Sequence, residues 1–268
     1  MQLIKNEWMK IWSQRNAQIM LLLVIVAVIG FASLNKYFAA DNSTKEERLA
    51  SNEEMLQMYE ENLATPGMYP EDIAYFEEQK KLTEYRIAND LPSETVVFYA
   101  EYMEQSLTLT IMLVSIFTMV IAAAIVSSEF GTGTIKMLLT RPVARWKILL
   151  SKLVASLIYG VVLFATGSVI ALLIGLILFP TDAAFTLSIV NGEIVKEAIE
   201  IDYVGIILYN GLSTIMTILF AFMLGSLFGS STLAVSLSLF ILLMGSTATM
   251  FIAQYDFAKY IWFANDLS

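Results

Sequence analysis

The sequence predicts an all-α polytopic membrane protein, and three observations predict it. Apolar residues make up 57% of the 268 and charged residues only 15%, with a mean hydropathy of +0.66, outside the balance of a soluble domain. Five segments carry apolar runs close to the roughly 20 residues that a helix needs to cross the hydrocarbon core. The charge is sorted along the chain: residues 39–104 hold sixteen acids and five bases, whereas residues 1–16 and 129–152 together hold eight bases and two acids. Lys and Arg resist translocation, so the two basic segments belong in the cytoplasm and the acidic one outside.

Residues 1–16 read as a cytoplasmic interfacial amphipathic helix. Leu3, Ile4, Trp8, Ile11 and Trp12 fall toward one side, and Lys5, Lys10 and Arg15 reach headgroups. Trp8 and Trp12 suit the membrane interface; the plainer alternative is a basic flank that only orients the first span. Residues 17–38 form that span, too long a run for a typical signal peptide. Residues 39–104 follow as an acidic helical extracytoplasmic insert. Leu49, Leu56 and Leu63 recur every seventh residue as on a helix, Thr65-Pro66-Gly67 stops it, and Pro70-Glu71-Asp72 starts a second. The acids either attract cations or simply keep the face solvated.

The second span is residues 105–128 and the third is 153–180, longer than the core requires. Gly167, Ala171 and Gly175 recur every fourth residue and predict close helix packing. Residues 181–203 return to the outside as an acidic loop. Tyr203 to Tyr255 contains no charge and is too long for one crossing, so it folds back near Gly229-Ser230-Ser231. The spans are then 204–228 and 233–253, with Gly225 and Gly229 as a small-residue packing pair. Residues 254–268 form an extracytoplasmic tail, too short to cross.

Composition also excludes chemistry. There is no Cys and no His, so disulfides, thiolate or imidazole metal sites and His-based catalysis are ruled out. No Gly-x-x-x-x-Gly-Lys-Ser/Thr sequence occurs, so the chain holds no P-loop. No predicted span carries an ionisable residue in its interior, as an ion-coupled carrier or intramembrane protease requires. The expectation is a non-enzyme without a metal site or cofactor of its own.

The cytoplasmic loop, residues 129–152, is the segment around which the spans are organised. It holds Lys136, Arg141, Arg145, Lys147 and Lys152 against the single acid Glu129. Ile135, Leu138 and Leu139 recur on one face of a short helix that Pro142 ends. Spacing alone leaves two readings open, a docking helix or a positive-inside anchor with no partner. Glu129, Gly131-Thr132, Thr134, Leu138-Leu139-Thr140-Arg141-Pro142 and Arg145 resemble the loop of type-2 ABC exporter permeases.

That resemblance implies a type-2 ABC exporter permease fold in the bacterial plasma membrane, N-terminus cytoplasmic; six spans are usual there, so either a sixth follows residue 268, the favoured reading, or the topology departs from the family. It implies a coupling helix over residues 131–139, with Glu129 at its membrane end and Arg141 and Arg145 fixing the turn after it. It also implies two partners, a cytoplasmic ABC ATPase subunit that carries the ATP and Mg, and a second permease copy or paralogue. Membrane lipids surround the spans, and no basic nucleic-acid footprint is present. The function expected is an exporter's translocation path for an amphipathic, lipid-like or peptide cargo, possible antibiotics included. The alternatives are a non-transporting scaffold or sensor that uses the acidic insert, and a subunit whose ATPase drives detachment of, or defence against, a bound peptide.

Overall fold

A computed structural model describes residues 2–39, 44–131, 144–181, 184–190 and 192–252. Within them lie α1 (Gln2–Trp12), α2 (Arg15–Phe38), α3 (Lys45–Leu63), α4 (Pro70–Ala88), α5 (Tyr99–Gly131), α6 (Arg145–Leu178), α7 (Tyr203–Leu227) and α8 (Ser231–Ile252). One antiparallel hairpin, β1 (Phe185–Val190) and β2 (Glu193–Ala198), interrupts the helices. Four helices, α2, α5, α6 and α7, are long and apolar enough to cross a bilayer, and α8 is a further apolar helix.

The chain divides into two compact units: residues 1–29, 106–171 and 202–268 form one, and residues 30–105 and 172–201 the other. In the first, α5 and α6 run antiparallel in close contact. A Cβ placed at Gly167 would lie 2.6 Å from Thr110 Cγ2, and one at Gly160 would lie 2.9 Å from Thr118 Oγ1. Helix α7 is as close to α5, because a Cβ at Gly225 would lie 2.4 Å from the Ala123 carbonyl oxygen. Missing side chains thus bring backbones together, as small residues do where lipid supplies no hydrophobic drive between helices. Met119 and Ala123 of α5, Ala221 of α7 and Ala234 of α8 form a buried cluster there.

In the second unit α3 and α4 make a helical pair. Thr44 caps α3 in a reciprocal box with Glu47, which satisfies otherwise orphaned amides. The heptad of leucines does not define the buried face: Leu49 is 40% exposed, whereas Asn52 and Tyr59 are buried. Long-range polar bonds decide this. The Asn52 amide donates to the Leu91 carbonyl at 3.0 Å, and the Tyr59 hydroxyl donates to Glu94. Burial and the Glu94 carboxylate push the Tyr59 hydroxyl above its usual range. Arg48 grips Asp90 through two bonds of 3.1 and 3.0 Å, and this guanidinium holds the Asp90 carboxyl below its usual range.

The hairpin corrects the expectation of a plain loop over residues 181–203 in an otherwise helical chain. Phe185, Leu187 and Ile189 alternate with other residues, and Gly192 at φ +86° supplies the left-handed backbone that a tight turn needs. The Phe185 ring receives the Lys196 ammonium at 3.8 Å and meets Phe98, joining β1 to a small core of Val96, Phe98 and Ala184.

Candidate functional site: an ion cluster where α1, α5 and α6 meet

Glu129 lies near the C-terminal end of α5, where the helix dipole disfavours a carboxylate. It is nonetheless buried, with a side chain only 5% exposed, because two lysines neutralise it. Lys152 Nζ lies 2.6 Å from Glu129 Oε1, and Lys10 Nζ lies 2.9 Å from the same oxygen. Lys152 also reaches Glu7 Oε2 at 2.9 Å. Lys152 stands two turns inside α6, so its charge is not in a solvated loop.

Glu7 and Lys10 come from α1, three residues apart and therefore on one face. Two acids and two bases make the cluster neutral, the condition under which Glu129 and Lys152 tolerate burial, while Glu7 is half-buried and Lys10 exposed. Apolar and aromatic contacts fix α1 on the same side. Ile11 is buried, Trp8 meets Trp12 edge-on at 5.6 Å, and Trp12 meets Tyr159 of α6 at 6.1 Å. The Tyr159 hydroxyl donates to the Ala17 carbonyl at 2.8 Å, tying α6 to the first turn of α2. Gly131 ends α5 and Arg145 starts α6, so the cluster ties together the two helices that flank the basic segment in sequence.

Of the residues singled out from the sequence, Glu129 is central to the cluster, Trp8 and Trp12 flank it, and Gly131 ends α5. Thr132, Ile135, Leu138, Leu139, Arg141 and Pro142 lie outside the described residues. Arg145 is exposed, next to an exposed Trp146 that carries the Lys147 ammonium 5.6 Å from its ring. Gly167 meets α5 and α2, Ala171 is fully buried, and Gly175 meets Tyr102 within its own unit. Gly225 meets α5, whereas Gly229 lies exposed in the link between α7 and α8. Glu7, Lys10, Lys152, Tyr159 and Gly160 carry contacts that sequence reasoning did not assign. The available signal was Lys152 itself, a charge set inside an apolar helical run.

The cluster offers no free acid, base or nucleophile; its chemistry is ionic attachment. Among the described residues no group of acids could hold a metal ion. Farther along the unit, α5, α6 and α7 line a half-open apolar cavity of about 280 Å³, with Ile111, Val114, Leu157, Phe164 and Ile218 among its walls. Thr214, a hydroxyl on its wall, is occupied by a 2.7 Å hydrogen bond shared with Ser115.

Residues 73–268 match the family described as "Protein of unknown function (DUF2705)". The chain belongs to this family. It is 36% identical to the uncharacterized protein YhcI of Bacillus subtilis (strain 168), over 98% of the chain and 84% of that protein. It is 34% identical to the uncharacterized membrane protein YdbK of the same strain, over 61% of the chain and 63% of that protein. No solved structure matches it. Apolar helices and a relative named as a membrane protein make this a multi-pass membrane protein.

The family match corrects the resemblance to type-2 ABC exporter permeases, because it takes in residues 129–145 and places them in a different family. The physical reason is that a basic, amphipathic loop between two spans follows from positive-inside sorting in any polytopic protein. A Gly-Thr pair and a short Leu-Leu-x-Arg-Pro run add too little to discriminate.

Proposed function

We propose that this protein is the membrane-spanning translocation subunit of an ATP-driven exporter, powered by a separate cytoplasmic ATPase that binds the 129–152 segment. In this reading the N-terminus is cytoplasmic, α8 is a fifth span, and two such subunits pair around the path. The observation that carries it is the ion cluster of Glu7, Lys10, Glu129 and Lys152. A push on the basic segment is delivered at once to α1, α5 and α6, because one ion cluster, buried at Glu129 and Lys152, holds all three. The close α5–α6 and α5–α7 contacts at Gly160, Gly167 and Gly225 transmit it as rigid tilts. The chain lacks a P-loop, so the energy comes from a partner. The uncharged cavity suits an amphipathic or lipid-like cargo.

Affinity purification of the protein from its native membrane tests this. An ATPase is expected to co-purify with the wild type and to be lost when Ile135→Asp and Leu139→Asp are combined. Retention of the ATPase by that variant, or purification of the intact wild type without any ATPase, overturns the proposal.

A further inference from the structure

A second cleft lies beside α1, of about 410 Å³, between the α1–α2 link and α5. Gln14, Arg15, Asn16 and Ser128 form its polar lining, and Ile11, Ile121, Ala124 and Ile125 form its apolar wall. We infer that this cleft binds the headgroup of an anionic phospholipid, with its phosphate on Arg15 and the start of its acyl chains against the isoleucines.

Charge complementarity selects the ligand. Arg15 is the one ionisable residue of the lining, and it makes no ion pair among the described residues. Its guanidinium fork matches a phosphate, and the Gln14 and Asn16 amides add donors of the same kind. The adjoining acid, Glu129, is already taken by Lys10 and Lys152. Among the described residues no carboxylate lines the cleft to receive a choline or ethanolamine cation, which disfavours zwitterionic lipids. The positive end of α2, which starts at Arg15, adds to the same field.

The apolar wall selects the source of the phosphate. Partly exposed Ala124, backed by the buried Ile11, Ile121 and Ile125, gives the cleft an apolar side that gains nothing from a free anion but is covered by the first methylenes of a lipid. The depth agrees, since Trp12 sits one turn away and Trp marks the headgroup level of a membrane helix. A water occupies about 30 Å³, so the cleft has room for a phosphoglycerol headgroup with some water.

The test is native mass spectrometry of the full-length protein in detergent, with phosphatidylglycerol, phosphatidylcholine or phosphatidylethanolamine added in turn. One phosphatidylglycerol per chain is expected to remain under conditions that strip the two zwitterionic lipids. Arg15→Gln is expected to lower that retention about tenfold, Arg15→Lys to restore part of it, and Lys147→Gln to leave it unchanged. Millimolar inorganic phosphate should not displace the lipid; displacement would mark a free-phosphate site and overturn the inference. Wild-type retention by Arg15→Gln, or equal retention of all three lipids, also overturns it. Should Arg15→Gln fail to fold, Ala124→Phe decides, because it fills the apolar wall without changing charge and is expected to expel the lipid.

Discussion

Replacing Lys152 by Met probes whether the ion cluster is one electrostatic unit. The Lys152 side chain is 1% exposed and pairs with Glu129 at 2.6 Å and Glu7 at 2.9 Å. Its removal leaves two carboxylates and one lysine, with Glu129 still buried at 5% exposure. Breaking a buried pair costs about 3–5 kcal/mol; Lys10 remains on Glu129 but is 45% exposed, which places the expected loss near 3 kcal/mol. At roughly 2–4 °C per kcal/mol for a chain of this size, the unfolding midpoint in detergent should fall by about 6–12 °C. Glu129→Gln should lose less, because Lys152 keeps Glu7 and the amide still accepts a hydrogen bond. The double variant leaves Glu7 and Lys10 balanced, so its loss should be smaller than the sum of the singles by about 1–3 kcal/mol. Lys147→Met, at an exposed site over Trp146, is the control and should shift stability by no more than about 0.5 kcal/mol. A Lys152→Met loss no larger than that control, or strict additivity in the double variant, would refute the argument.

Two further outcomes follow from the same geometry. Gly225→Val drives a side chain into the Ala123 backbone, whereas Gly211→Ala enters open space. The first should destabilise by about 1–3 kcal/mol or more and the second by little, read as midpoints in one detergent. In the second unit, Asp90 sits at φ +51°, which Asn also tolerates, so Asp90→Asn removes the charge and spares the turn. The Asp90 carboxyl is held below its usual range by Arg48, so its contribution is present above the unfolded carboxylate value of about 4 and fades as pH falls through the depressed folded value. The midpoint gap between wild type and Asp90→Asn should therefore be full at neutral pH and close in stronger acid; a gap that widens there contradicts the assignment.

The helices were legible because each rests on local signals. Uncharged runs gave α2, α5, α6, α7 and α8, and Thr65-Pro66-Gly67 with Pro70 separated α3 from α4. The helix ends were not, since α5 begins at Tyr99 and α6 at Arg145, beyond the apolar runs that were counted. Hydropathy measures what lipid can cover, and a helix continues wherever its backbone bonds are made. The hairpin carried its own signal, an Asn-Gly step between alternating segments, but charge counting over residues 181–203 registers only an acidic loop. In α3 the buried face is set by partners some forty residues away, Leu91 and Glu94, so the leucine heptad could not reveal it.

The site was half legible for a related reason. Glu129 stood out in the sequence as one acid among five bases, which marks an unusual residue but suggests a solvated loop. That reading treats the loop as a closed region. Charges at the ends of membrane helices need not be balanced within their own loop, because helix packing brings distant segments to the same depth. Lys10 arrives at Glu129, and Glu7 at Lys152, from more than a hundred residues away, and Lys152 reaches Glu129 from the opposite end of the loop. Glu129 and Lys152 already cancel, Glu7 and Lys10 add a second balanced pair, and that neutrality is what permits the burial of Glu129 and Lys152 in a low-dielectric bundle. A sequence reading that looks for neutral sets among helix-end charges, rather than for net charge along a loop, would have paired Glu129 with Lys152 and treated α1 as part of the bundle.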